Sequence, residues 1–396
     1  MRATRFFLAI ALSGGMSSAA DAEYWSRSWM AAPQVWTAPA DKRPDLTDRT
    51  IRQVVRISGG GQRIRLRLSN EMTQEPLLVG AIHVALAGED GCIIPGSDHV
   101  LSFNGVQGAR LPAGASLLSD PVDLSVKPLT SLTVSIHLPA GAANPTVHSY
   151  AAATNWIAPG DQTAAEQMSG ASIVGPRLIL SAVEVATPRP ATTIVTLGDS
   201  ITDGVRATND SNRRWPDLLA ERLQKAGRKN VSIANAGISA NRLLSEGAGQ
   251  NALARFDADV LAVPGVTHVV LLEGVNDIGA AFAEKRPIPS AQDLIGAYRQ
   301  MIARAHGRGV KIILATILPY KGAGYWSEQG EAVRMAVNDW IRTSGEADGV
   351  VDLAKATADP SDPARMARPY DVGDALHPND AGFAVMADAF DLRLFR

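Results

Sequence analysis

The sequence predicts a chain in two parts: an antiparallel β-sandwich or jelly roll, then a three-layer α/β unit on a parallel sheet. Three observations carry that prediction. Short alternating apolar runs separated by Gly- and Pro-rich turns fill residues 25–185. Beyond Pro188-Arg189-Pro190, strand-like runs alternate with stretches of helical length. The chain has 396 residues, 46% hydrophobic and 20% charged, which suffices for two cores and excludes disorder, collagen and coiled coil.

Taken in order, Arg2 and Arg5 precede seven apolar residues from Phe6 to Leu12, and a small-residue stretch ends Ala20-Asp21-Ala22. That is the pattern of an export signal, so residues 1–22 are expected to be removed and the protein to be secreted or periplasmic. An ordinary N-terminal helix fits less well, because Ser13-Gly14-Gly15 interrupts the apolar run. The one cysteine, Cys92, permits no internal disulfide and reads as a small buried hydrophobe. No run approaches the roughly 18 apolar residues of a membrane span. The formal net charge of −2 lacks the Lys and Arg surplus that a nucleic-acid partner demands.

Residues 23–186 are expected to form the β-sandwich. Between Gln62 and Leu68, Ile64, Leu66 and Leu68 face one way and Arg63, Arg65 and Arg67 the other, the period-2 pattern of a half-buried strand. Similar runs follow at Leu77–Val84, Leu132–Leu138 and Leu178–Val185, divided by turns such as Gly59-Gly60-Gly61 and Pro112-Ala113-Gly114. Residues 187–396 are expected to form the α/β unit. Its strands fall at Thr193–Leu197, Val231–Ala234, His268–Leu272, Lys311–Thr316 and Val350–Leu353. Its helices fall at Trp215–Ala226, Ala291–His306 with Ser290 as N-cap, Glu328–Arg342 and about Asp380–Leu392. Strands joined by crossover helices pair in parallel, and such sheets put their chemistry at the carboxyl ends of the strands.

Four segments lie at those ends or before the last helix. Gly198-Asp199-Ser200 follows the first strand. Ser200 there either caps the next helix or presents a hydroxyl at the sheet edge, with a backbone N–H aimed at developing negative charge. The α/β-hydrolase elbow G-x-S-x-G is absent from the chain. Asn235-Ala236-Gly237 follows the second strand and reads as a turn, or as a place where a glycine N–H approaches a substrate oxygen. Gly274-Val275-Asn276-Asp277 follows the third, where Asn276 either makes an Asx-turn or donates to an oxyanion. Of seven histidines, only His377 has a carboxylate three residues earlier, Asp374, and a proline after it. That spacing lets Asp374 accept from one ring nitrogen while the other faces the serine. Most of the other histidines need no special explanation: His137 alternates within a strand, and His306 lies near a helix C-terminus where its charge suits the dipole.

Together these blocks resemble those of the SGNH hydrolases, also called the GDSL esterase family, over about Thr193 to the C-terminus. Trp25-x-x-x-Trp29 and Arg52-Gln53-Val54-Val55-Arg56 resemble the β-rich N-terminal module of a secreted bacterial subgroup. One departure is Ala240, where many relatives have glycine. The resemblance implies a flavodoxin-like sheet and a carboxylic ester hydrolase, with Ser200 as nucleophile, His377 as general base and acid, and Asp374 orienting the imidazole. It implies an oxyanion hole of the Ser200 N–H, the Gly237 N–H and the Asn276 amide, and no metal or cofactor. Asp199, Asp203 and Asp277 are expected to brace loops. The expected substrate is a short acyl ester on carbohydrate. The alternatives are a lipase or arylesterase, and a glycan-binding protein with an idle α/β half. Tyr320-Lys321-Gly322-Ala323-Gly324-Tyr325-Trp326 is expected to be a sugar platform or an acyl wall, with Trp326 equally readable as core.

Overall fold

The computed structural model describes residues 23–396, so the export reading of residues 1–22 lies outside the described residues. In the first half, two antiparallel sheets stack. One orders Tyr24–Met30, Leu180–Thr187, Arg63–Asn70 and Ala115–Leu118; the other orders Ser172–Val174, Asn155–Pro159, Arg49–Arg56, Ser131–Leu138, Ile82–Leu86 and His99–Val100. Ile64, Leu66 and Leu68 from the first meet Ile51, Val55, Val134 and Ile136 from the second in one core, as alternation requires when both inner faces are apolar.

Several local expectations shift. Leu77–Val84 divides into Leu77–Val79 and Ile82–Leu86, and Leu178–Val185 breaks at Ile179, whose φ of 68° is left-handed. The arginine face of Arg63–Asn70 is only partly solvated: Arg65 and Arg27 both pair with the fully buried Glu184, at 2.7 and 2.9 Å. Cys92 is half-buried rather than buried.

The second half is a five-stranded, all-parallel sheet of β1 (Thr192–Gly198), β2 (Val231–Gly237), β3 (Val266–Leu272), β4 (Lys311–Ala315) and β5 (Gly349–Val351). Its order is β2-β1-β3-β4-β5, so the winding reverses between β1 and β3, where a crevice opens at the strand ends. The strands are apolar on both faces because helices cover both. Val195, Leu197, Val269 and Leu271 pack under α3 (Val275–Ala283), α4 (Ala291–His306) and α5 (Glu328–Thr343). Ile194, Val270 and Leu272 pack under α2 (Trp215–Lys225) and α6 (Asp380–Asp388), where Trp215 and Phe390 stack at 5.2 Å.

Helix α3 departs from the expected turn. Its N-cap is Gly274, φ 111°, with no side-chain cap, and the run Gly274-Val275-Asn276-Asp277 has the composition of a turn. The last helix ends at Asp388 rather than Leu392, and a 3-10 turn follows at Leu392–Phe395. Among the described residues no helix is long and apolar enough to cross a membrane.

The two halves share packing. Met30 and Ala182 of the sandwich join the core that contains Ala234 and Ala236 of β2. β2 is an edge strand, and the sandwich occupies part of its exposed backbone: Ser58 Oγ lies 2.7 Å from the Ile233 nitrogen and 2.8 Å from its carbonyl oxygen. That satisfies groups an open edge would leave to another chain.

Candidate active site

β1 delivers Ser200 to the first turn of the short helix α1 (Ser200–Asp203). Asp199 caps that helix by accepting from the Ile201 N–H at 2.9 Å, so the Ser200 N–H, at the first helical position, has no intrahelical acceptor. Gly198 is required by space: a Cβ there would lie 2.2 Å from Thr202 Oγ1 and 2.6 Å from the Leu272 carbonyl.

His377 arrives on the loop before α6. Its Nε2 lies 2.9 Å from Ser200 Oγ and its Nδ1 lies 2.8 Å from Asp374 Oδ2. The other Asp374 oxygen accepts from the backbone N–H groups of His377 and Leu376, at 2.8 and 3.0 Å. Burial alone would raise the Asp374 carboxyl, but the two backbone bonds and the bond to the ring outweigh it and hold the group below the usual carboxylate range. The aspartate is thereby kept as an acceptor, which fixes the ring orientation.

The expected oxyanion donors divide. Asn276, on the first turn of α3, donates from Nδ2 to the Asn241 carbonyl at 2.9 Å, and its Oδ1 faces the Tyr325 hydroxyl at 3.4 Å. One of its two amide protons therefore stays free. Gly237 is different: its N–H donates to Asn235 Oδ1 at 2.9 Å, and the Asn235 amide is tied to the Thr202 carbonyl at 2.8 Å. The Gly237 N–H is thus not free for a substrate oxygen. Glycine is needed there because a Cβ would meet the Asp203 backbone nitrogen at 2.3 Å.

The free donor on this loop lies three residues on. Ala240 has φ 60°, and its N–H meets no acceptor among the described residues. Its neighbours are pinned: Ser239 donates its N–H and hydroxyl to Asp203 Oδ2 at 2.9 and 2.5 Å, and Asn241 accepts from Asn276. The signal in the sequence lay at Ala240 itself, because the glycine that the resemblance sets at that position marks a backbone that takes a positive φ.

Other residues near the site were not singled out in the sequence. The buried Arg255 donates to the carbonyls of Gly198 and Ala236, at 3.2 and 2.6 Å, and to Asn241 Oδ1 at 2.8 Å. One planar, five-donor group thus holds the ends of β1 and β2 and the loop beyond. Asp277 accepts from the N–H groups of Leu243 and Leu244 at 2.7 and 2.8 Å. The aromatic loop corrects the platform reading: Tyr320 is 1% exposed and Trp326 packs against the core. Tyr325 lies closest to the site, its ring filling the space over Gly279.

The family model for the GDSL-like lipase/acylhydrolase family matches residues 196–385. Residues 196–385 are a GDSL-like lipase/acylhydrolase domain. That domain spans every site residue described above, and it makes the chain a carboxylic ester hydrolase. No curated protein matches the chain. Similar solved structures include an acetyl xylan esterase from Geobacillus stearothermophilus, 22% identical over 51% of this chain and 94% of that one, TM-score 0.39. A second acetyl xylan esterase, AlAXEase, is 24% identical over 50% and 96%, TM-score 0.39. A GDSL-like lipase from Bacteroides thetaiotaomicron is 20% identical over 51% and 87%, TM-score 0.39. In the acylhydrolase domain, no group of three His, Cys, Asp or Glu among the described residues is placed to hold a metal.

Proposed function

We propose that the acylhydrolase domain works through an acyl-enzyme, with Ser200 as nucleophile, His377 as general base and then acid, and Asp374 as the group that orients the ring. The observation that carries this reading is the unbroken line from Ser200 Oγ through both nitrogens of His377 to Asp374, at 2.9 and 2.8 Å. Such a line lets the imidazole take the serine proton as the hydroxyl attacks the ester carbonyl, and return it to the departing alcohol. A water then repeats the cycle on the acyl-serine. The oxyanion forms beside the N–H groups of Ser200 and Ala240 and the free Asn276 amide proton, each donor worth roughly 3 kcal/mol in the transition state. Ala240 takes the place first expected of Gly237.

The substrate is, in this reading, a short acyl ester of carbohydrate. Tyr325 supports the short acyl group: its half-buried ring sets an aromatic wall one hydrogen bond from the oxyanion amide. The export pattern of residues 1–22 supports a site of action outside the cytoplasm, where polysaccharide esters are met. The test is a panel of p-nitrophenyl esters of rising chain length together with acetylated xylan. Ser200→Ala is expected to abolish turnover of all of them while the circular dichroism spectrum is unchanged. Wild-type turnover by Ser200→Ala refutes the nucleophile, and faster turnover of long-chain esters than of acetate favours a lipase.

A further inference from the structure

His148 belongs to the sandwich, on the two-residue strand Val147–His148, and no local pattern in the sequence gives it a role. In the structure it is buried and its ring bridges the two halves of the molecule. Nδ1 faces the Ala32 carbonyl at 3.0 Å, and Nε2 faces Asp203 Oδ1 at 2.9 Å. A carbonyl only accepts, so the Nδ1 N–H donates to Ala32, and the other ring nitrogen meets the Asp203 carboxyl. Asp203 closes the helix that Ser200 opens, and its other oxygen takes both the N–H and the hydroxyl of Ser239. Ser239 immediately precedes Ala240, whose N–H meets no acceptor among the described residues.

A continuous line therefore runs from the sandwich backbone through His148, Asp203 and Ser239 to the oxyanion loop. A second tie from the same part of the sandwich reaches the far end of that loop: Gln34 accepts from the Ser149 N–H at 2.9 Å and donates to the Ala248 carbonyl. We propose that His148 is a positioning residue for the hydrolytic reaction, acting through Asp203 to fix the loop that presents the Ala240 N–H. The sandwich thus completes the oxyanion hole. This inference rests on the serine-esterase reading above.

Two polar replacements separate positioning from packing. His148→Gln places an amide donor where Nε2 stood and reaches Asp203; His148→Asn places one where Nδ1 stood, reaching Ala32 but not Asp203. With p-nitrophenyl acetate, His148→Asn is expected to lose about tenfold to a hundredfold in kcat with KM within twofold, because small displacements of catalytic donors are costly. His148→Gln is expected to keep at least half of the wild-type kcat. Ser26→Ala, which removes the 3.2 Å contact of Ser26 with Ser232 elsewhere in the interface, is expected to keep wild-type kcat. Equal kcat in the Asn and Gln variants, a loss confined to KM, or an equal loss in Ser26→Ala overturns the inference. A fully active Ser200→Ala overturns the esterase reading instead, and the two failures are told apart because Ser200→Ala leaves the His148 contacts in place.

Discussion

Asn276 holds its carboxamide at both ends, by the Asn241 carbonyl at 2.9 Å and the Tyr325 hydroxyl at 3.4 Å, so the remaining amide proton points in one direction before substrate arrives. A donor fixed in this way acts on the transition state and adds little to ground-state binding. Asn276→Ala is accordingly expected to lower kcat about a hundredfold or more with KM little changed, measured by Michaelis analysis on p-nitrophenyl acetate. An equal effect confined to KM would make Asn276 a substrate-binding group. Gly237 and Ala240 offer a paired test of which loop position is spatially constrained. Adding a methyl at Gly237 drives a Cβ to 2.3 Å from the Asp203 nitrogen, so Gly237→Ala is expected to cost about 1–3 kcal/mol of stability and to lower kcat. At Ala240 the left-handed φ of 60° already suits glycine. Ala240→Gly relieves strain and gains unfolded-chain entropy in similar amounts, so stability changes by less than about 1 kcal/mol and kcat is kept. Thermal unfolding and kcat of the two variants decide the matter.

At the scale of elements, the site is the meeting of three strand ends and one loop, and Arg255 joins two of those ends. Its guanidinium N–H groups donate to the Gly198 and Ala236 carbonyls, to Asn241 Oδ1 and, at 3.0 Å, to Asp259. Removing it leaves a buried carboxylate and several buried acceptors unpaired. Arg255→Met is therefore expected to cost about 3–5 kcal/mol in chemical denaturation and to lower kcat together with it. Unchanged kcat in the folded variant would mean that β1 and β2 hold their ends without it. Arg255 also marks the limit of what sequence shows. The parallel strands and α4 are written locally, in apolar runs and in the Ser290 cap, and Asp374 and His377 stand three residues apart in one turn. The partners of Arg255 lie on three separate segments, from residue 198 to residue 259, and no local pattern joins them. Gly237 was misjudged for the same reason: that its N–H is taken by the side chain two residues earlier depends on how Thr202 turns Asn235. Helix α3 was missed because its first residues have the composition of a turn.

For the whole molecule, the sandwich and the acylhydrolase domain behave as one packed body, with Met30 and Ala182 inside the core of the second half and Ser58 seated on the edge of β2. Alternation foretold the two sheets of the sandwich but could not show which of its faces meets the α/β half, because apolar and small residues suit a core and an interface alike. Within the acylhydrolase domain itself, packing buries the carboxyls near the nucleophile: Asp199, Glu273 and Asp277 are all buried. Asp199 is pushed up to about 7, chiefly by burial, against the lowering hydrogen bond from Ile201 and with the Asp277 and Asp203 carboxylates raising it further. Burial raises Glu273 and Asp277 in the same direction. A carboxyl whose folded pKa exceeds its ordinary value binds more proton in the native than in the unfolded state, so native stability falls as pH rises between the two values. For Asp199 the window runs from its ordinary 3.8 to about 7. Asparagine keeps the cap acceptor for the Ile201 N–H but cannot ionise, so Asp199→Asn is expected to fold and to lose less stability across that window. Urea unfolding of both proteins at pH 4, 5.5 and 7.5 reads the effect: the wild type is expected to lose ground to Asp199→Asn at each step, and parallel profiles would mean that Asp199 ionises as readily in the fold as in the open chain.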